Sequence, residues 1–61
     1  MSGLKKIRID KEFTQSSIAA LLDVSQQKYS KMERQPDKIP VSFALKIAEI
    51  LEINDLNIFL N

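Results

Sequence analysis

Residues 14–34, with the sequence TQSSIAALLDVSQQKYSKMER, contain the pattern that decides the fold. Thr14 is a favourable N-cap for a helix that extends to Leu22. Ser25 is a favourable N-cap for a second helix that extends to about Arg34. The apolar residues of the first helix have the spacing of a buried stripe: Ile18, Ala19, Leu22. The second helix is largely polar, and only two residues separate the helices. Two helices joined by so short a turn predict a helix-turn-helix motif.

The rest of the chain also predicts helices, because it contains one Gly, two Pro and no sustained period-two alternation. A first helix is expected over 3–11, and a fourth begins near residue 41, after a loop framed by Pro36 and Pro40. Asn54 can cap a final short helix. The apolar residues of the last two helices form patterned sets: Val41, Ala44, Leu45, Ile47, Ala48, Leu51, and Leu56, Phe59, Leu60. We therefore predict a compact all-α domain of four to five helices that spans residues 1–61.

Composition excludes several kinds of site. The chain has no Cys and no His, so it offers neither disulfides nor the ordinary ligands of zinc, and we expect no metal and no cofactor. No apolar run approaches the roughly 18 residues of a membrane span, and the amino end lacks the apolar segment of a secretory signal. We expect a cytoplasmic protein, encoded by a bacterium or phage, with no membrane partner.

The charge is unevenly distributed, although the formal net charge is only +1. Residues 1–38 contain eight Lys or Arg and five Asp or Glu, whereas residues 39–61 contain one and three. Positive potential is therefore expected over the amino-terminal two-thirds. Enzyme motifs are missing: there is no Gly-rich phosphate loop, and the Ser-x-x-Lys match at Ser25 and Lys28 lacks its companion motifs. We expect neither enzymatic activity nor a small-molecule substrate.

One set of residues resembles a known family. Its TQ…A…VS…E pattern is matched here by Thr14-Gln15, Ala19, Val24-Ser25 and Glu33. In these residues the chain resembles the lambda-repressor-like (Xre/Cro) helix-turn-helix DNA-binding proteins. Three positions differ from that pattern: Asp23 and Gln35 replace usual glycines, and Tyr29 replaces a smaller β-branched residue. The resemblance implies an ion pair between Arg8 and Glu33.

The start of the second motif helix is where residues of such proteins reach base edges in the major groove. Gln26 and Gln27 suit this role, because a glutamine amide can pair with N7 and the N6 amino group of adenine. Lys31, one turn beyond Gln27, is expected to point toward the same groove. Further residues are expected to contact the DNA backbone, partly by resemblance: Thr14, Gln15, Ser25, Lys28, Arg34, Lys38. The resemblance also implies that Gln15 braces Gln26. The alternative is that these side chains form an ordinary solvated helix face.

A second apolar row on the fourth helix predicts either a partner surface or further core. Phe43, Ile47 and Ile50 lie away from the face of Val41, Ala44 and Ala48. With Ile39, Ile58 and Phe59, this row could form a symmetric homodimer patch. Alternatively, the final helix folds back and covers it.

The whole sequence predicts a small transcriptional regulator, a repressor, that binds double-stranded DNA at a pseudo-palindromic operator through residues 25–34. Two rivals remain: a helix-turn-helix module that mainly binds a protein, such as an antitoxin binding its toxin, and the DNA-binding part of a longer regulator.

Overall fold

A computed structural model describes residues 3–59, and over this range the chain forms four α-helices and two 3₁₀ turns, with no strand. The helices are α1 (Gly3–Asp10), α2 (Gln15–Leu22), α3 (Gln26–Arg34) and α4 (Val41–Leu51), and the 3₁₀ turns are Pro36–Lys38 and Leu56–Phe59. The predicted all-α class is confirmed. Leu60, expected in the last helix, lies outside the described residues, as does Asn61.

Three helices end in the same way, on an acidic residue in the left-handed conformation. These residues are Glu12, Asp23 and Glu52, with φ values of 64°, 59° and 56°. After α2, the N–H of Val24 donates to the carbonyl of Ala19 over 3.0 Å, five residues back. This bond and the left-handed residue are the marks of a Schellman ending. The short turn between α2 and α3 is therefore made by Asp23, although glycine adopts this conformation at lower cost.

The core is built where α2 packs against α3 and α4, and where the second 3₁₀ turn packs against α1 and the first 3₁₀ turn. Ala19 is 2% exposed, so its small side chain lets the motif helices approach closely. Gly3 begins α1 against Ile58, where a larger residue would meet the Ile58 side chain. The buried apolar residues are Leu4, Ile18, Ala19, Leu22, Tyr29, Met32, Ile39, Ile47, Ala48, Leu51 and Phe59.

The structure distributes the apolar residues of the carboxyl-terminal half between the core and the surface. Val41 and Leu45, predicted in the patterned face of α4, are 73% and 54% exposed. Ile39 and Phe59, assigned to a possible dimer patch, are instead buried at 8% and 7% exposure. The reason is that α4 is apolar around much of its circumference, so the sequence pattern left open which row faces inward. The α4 helix packs against α2, and the row that contains Ile47, Ala48 and Leu51 is buried.

The final element also differs from its prediction. It is a 3₁₀ turn rather than a capped α-helix, and Asp55 Oδ1 accepts a hydrogen bond from the N–H of Asn57 over 3.0 Å. The expected cap was one residue earlier, at Asn54. An acceptor two residues before the donor fits a tight Asx-type turn, which is compatible with the shorter element.

Candidate nucleic-acid interface

Side-chain caps fix the starts of both motif helices. Thr14 Oγ1 accepts from the N–H of Ser17, while Ser17 Oγ accepts from the N–H of Thr14, each over 3.0 Å. Ser25 Oγ accepts from the N–H of Lys28 over 3.1 Å. These caps satisfy backbone donors that would otherwise lack partners and orient the first turn of each helix. Thr14 and Ser25 thus have structural roles, and their contacts with a DNA backbone stay predictions.

The start of α3 lines a shallow polar cleft on the surface. Its walls are Gln15, Ser25, Gln26, Gln27, Ser30 and Arg34. The structure therefore brings both predicted base-contacting glutamines together with three of the predicted backbone-contacting residues. Ser30 was not predicted, although it lies four residues after Gln26 and four before Arg34, the spacing of one helical face. Gln26, Gln27 and Arg34 are exposed, so their polar groups are available to a partner.

The lysines lie in a separate depression beside this cleft. Lys28, Lys31 and Lys38 line it together with Met32, Gln35 and Pro40. In the structure Lys31 lies beside the other two lysines, and its predicted approach to the same DNA groove as Gln27 stays a prediction. The Nζ atom of Lys28 lies 5.5 Å from the centroid of the Phe43 ring, within range of a cation–π interaction. This contact directs Lys28 toward α4, and the three ammonium groups place positive charge along one flank of α3.

A buried ion pair joins α1 to the end of α3. Arg8 Nε lies 2.5 Å from Glu33 Oε2, and the two residues are 7% and 3% exposed. Arg8 Nη1 also donates to the carbonyl of Phe13 over 2.7 Å. Arg8 and Glu33 were expected as a pair by resemblance, and the structure brings them together. The pair links α1, the α1–α2 connection and α3, the segments around the base of the cleft.

Gln15 extends this network into the cleft. Its Nε2 donates to Glu33 Oε1 over 3.1 Å, while the same residue lines the cleft beside Gln26. Sequence reasoning assigned Gln15 to the DNA backbone and missed its bond to Glu33. The two residues are eighteen apart in the chain, and no local spacing signals their contact.

Burial and hydrogen bonding compete at Glu33. Burial disfavours its carboxylate, but hydrogen bonds from Arg8 and Gln15 outweigh burial and hold the pKa of Glu33 below its ordinary value. Beside it, burial and the Glu33 carboxylate raise the pKa of Tyr29 far above its ordinary value. The Tyr29 hydroxyl is close enough to influence Glu33 yet has no partner at hydrogen-bonding geometry. Glu33 is therefore ionised near neutral pH and acts purely as an acceptor.

Other kinds of site find little support in the described part of the chain. Residues 3–59 contain no group of three or more Asp or Glu side chains that could hold a metal ion. Within the same residues, no helix is long and apolar enough to cross a membrane.

Comparison with known families decides the class of this motif. A family model for the helix-turn-helix of the Cro/C1 type, which is Xre-like, matches residues 4–56. The chain belongs to this family. No curated protein and no solved structure matches it significantly. The resemblance carried by Thr14-Gln15, Ala19, Val24-Ser25 and Glu33 is confirmed, and so is the lambda-repressor-like fold.

Membership gives this Cro/C1-type chain a general function. The family consists of DNA-binding helix-turn-helix regulators, and the match includes all of α2, the turn and α3. In such motifs the second helix enters the major groove with its amino-terminal residues toward the bases. Here those residues are Gln26 and Gln27, which makes the polar cleft the candidate DNA-reading surface.

Proposed function

We propose that this protein is a small sequence-specific transcriptional regulator, acting as a repressor, in which residues 1–61 form one DNA-binding domain. The observation that carries the proposal is the cleft that presents Gln26 and Gln27 at the start of α3. Each amide can pair bidentately with adenine, which gives about 1–3 kcal/mol of discrimination against a wrong base. These two glutamines supply the base contacts.

Phosphate contacts come from the flanks of the cleft. Arg34 lies at the end of α3 in the cleft, and Lys31 and Lys38 are exposed on the neighbouring depression. Lys31 also has the reach to contact a guanine edge. Backbone N–H groups at the starts of α2 and α3, next to Gln15 and Ser25, can add phosphate contacts. The modest net charge of +1 is compatible with this arrangement because the positive groups are concentrated along α3.

A homodimer would complete operator binding. It would set two α3 helices about 34 Å apart, in register with successive major grooves of a pseudo-palindromic site. Apolar surface for such a contact lies on α4 and the second 3₁₀ turn, where Val41, Leu45 and Leu56 are 73%, 54% and 47% exposed. This surface replaces the patch expected from Ile39 and Phe59. Phe43, Ile50 and Ile58, also predicted for the patch, are half-buried and pack against the core.

The same apolar surface supports a second candidate function. Leu45 and Leu56 line a depression with Glu49 and Glu52 at its rim, which is a surface suited to a protein partner. A helix-turn-helix antitoxin that covers its toxin with this surface would bind DNA secondarily. The two functions predict different effects of substitutions. Alanine substitutions in the cleft should abolish the main activity of a DNA-binding regulator, whereas substitutions on the α4 surface should abolish that of an antitoxin.

The test begins with selection of bound sites from a random duplex pool. The wild type and a Gln26→Ala/Gln27→Ala variant are then titrated on the best site at two salt concentrations. A matched control, Asn54→Ala/Asn57→Ala, removes two exposed amides far from the cleft. We expect an inverted repeat to be enriched, affinity to fall as salt rises, and only the glutamine variant to lose base preference.

Two other results would change the proposal. Equal binding by the glutamine variant and the wild type would refute the proposal that α3 makes the base contacts. If no sequence is enriched at all, the proposed operator binding is refuted and the protein-binding alternative takes its place.

A further inference from the structure

The three lysines in the depression beside α3 differ in what holds their side chains. The Nζ atom of Lys28 lies 5.5 Å from the centroid of the Phe43 ring. Among residues 3–59, Lys31 and Lys38 have neither an ion pair nor a cation–π contact. Lys28 has no ion pair there either, so the aromatic ring is what distinguishes it from the other two lysines.

The Phe43 ring is a firm support for this contact because it belongs to the packed part of α4. Phe43 is half-buried and packs against the hydrophobic core, whereas Lys28 is exposed on α3. A free exposed lysine samples many rotamers. The attraction between an exposed ammonium group and an aromatic face favours the rotamers over the ring by about two- to fivefold. Phe43 therefore orders the Lys28 side chain before any ligand is bound.

We propose that Phe43 is a positioning residue for binding of the DNA backbone, acting through Lys28. The ring holds the Lys28 ammonium in the depression that Lys31 and Lys38 also line. A phosphate at this place meets one lysine that is already ordered and two that become ordered only on binding. Ordering a long side chain at an interface costs free energy, so a contact from Lys28 contributes more affinity than the same contact from Lys38. This inference rests on the proposed function in that it requires α3 to bind DNA.

A double-mutant cycle tests the link between the ring and the lysine. The wild type, Phe43→Leu, Lys28→Met and the double variant are titrated on the best selected site and on an unrelated duplex. We expect Phe43→Leu to weaken binding to both duplexes by about two- to fivefold, because phosphate contacts carry no sequence information. In the Lys28→Met background, Phe43→Leu should cause no further loss. The control Ile7→Val trims another half-buried residue that packs against the core, on α1, and should bind as the wild type does.

The salt dependence of binding separates the ring from the charge. Lys28→Met removes an ammonium group that neutralises a phosphate, so the slope of log affinity against log salt should fall by about 1. Phe43→Leu keeps that charge and should leave the slope unchanged. Lys38→Met is the matched lysine variant, with the same change of slope. Its loss of affinity should be smaller than that of Lys28→Met by about two- to fivefold, because no ring orders Lys38 in advance.

Several results would overturn the inference while leaving the proposed function intact. One is a loss in Phe43→Leu that persists in the Lys28→Met background, since the ring would then act on the fold or on a subunit contact. Unchanged affinity in Phe43→Leu, or equal losses in Lys28→Met and Lys38→Met, would overturn it as well. A wild type that binds both duplexes equally refutes the sequence-specific function, and the cycle on the unrelated duplex still decides the inference. A wild type that binds no duplex refutes both.

One further measurement needs no change at Phe43 and applies if Phe43→Leu fails to fold. An aromatic ring shifts the NMR signals of protons above its face to lower frequency. In the wild type, the ε-methylene protons of Lys28 should therefore resonate at lower frequency than those of Lys31 and Lys38, both in the free protein and in the DNA complex. The same chemical shift for all three lysines, or loss of the Lys28 shift in the complex, would overturn the inference.

Discussion

Removing Arg8 should cost far more stability than removing Arg8 and Glu33 together. In Arg8→Met, Glu33 remains 3% exposed without its main donor, and the carbonyl of Phe13 loses a 2.7 Å hydrogen bond. Breaking one side of a buried pair typically costs about 3–5 kcal/mol. At roughly 0.05–0.15 kcal/mol per residue, a chain of 61 residues has a total stability of about 3–9 kcal/mol. We therefore expect Arg8→Met to lose at least about a third of the free energy of unfolding, and all of it if the wild type lies at the low end of this range.

The double variant Arg8→Met/Glu33→Met removes both charges and keeps the volume apolar. Such replacements are often close to neutral, so we expect a loss of about 1–2 kcal/mol, from the unpaired Gln15 amide and Phe13 carbonyl. Urea unfolding followed by circular dichroism gives the free energies of unfolding of the wild type, Arg8→Met, Glu33→Met and the double variant. The coupling between the two substitutions should then be about 2 kcal/mol or more in favour of the double variant.

The pH dependence provides an independent check. In the wild type the pKa of Glu33 is lowered by folding, so its contribution is present above the ordinary carboxyl pKa and lost as pH falls through the lowered value. In Arg8→Met, burial dominates and raises the pKa of Glu33. That variant should lose stability as pH rises from the ordinary carboxyl pKa to the raised value. A loss below 1 kcal/mol in Arg8→Met, or additive effects in the double variant, would refute the reasoning.

Three further substitutions test other parts of the structure. Asp23→Gly should raise the free energy of unfolding by about 0.5–1 kcal/mol, because Asp23 has a φ of 59° that glycine adopts more easily. The control Ala20→Gly, in the exposed part of α2, should lower the free energy of unfolding by about 1 kcal/mol. Tyr29→Phe should leave the free energy of unfolding in urea unchanged or raise it by about 1 kcal/mol, because the buried hydroxyl has no hydrogen-bond partner. A clear loss of stability would mean that the hydroxyl donates to Glu33. Lys38→Ala should reduce the slope of log affinity against log salt by about 1 without changing base preference, and an altered preference would contradict a pure phosphate contact.

The sequence determined the four α-helices and the starts of the two motif helices, but not the form of the final element. Thr14 and Ser25 marked the starts of α2 and α3, and both act as caps through their hydroxyl groups. The stripe of Ile18, Ala19 and Leu22 is buried as its spacing required. These features depend on interactions within a few residues, and such interactions are encoded directly in local sequence. The exposure of the glutamines in the candidate site was also predictable from local sequence, because α3 has few apolar residues to bury.

Tertiary packing decided what local pattern could not. The α4 helix has more apolar surface than one face can bury. Its packing against α2 placed Ile47, Ala48 and Leu51 in the core and left Val41 and Leu45 exposed. The bond from Gln15 to Glu33 joins residues of different helices, and its geometry depends on how α2 crosses α3. Which of two equally apolar rows is buried depends on how whole helices are placed relative to one another. The same holds for contacts between residues that are distant in the chain. Local sequence patterns do not determine this placement.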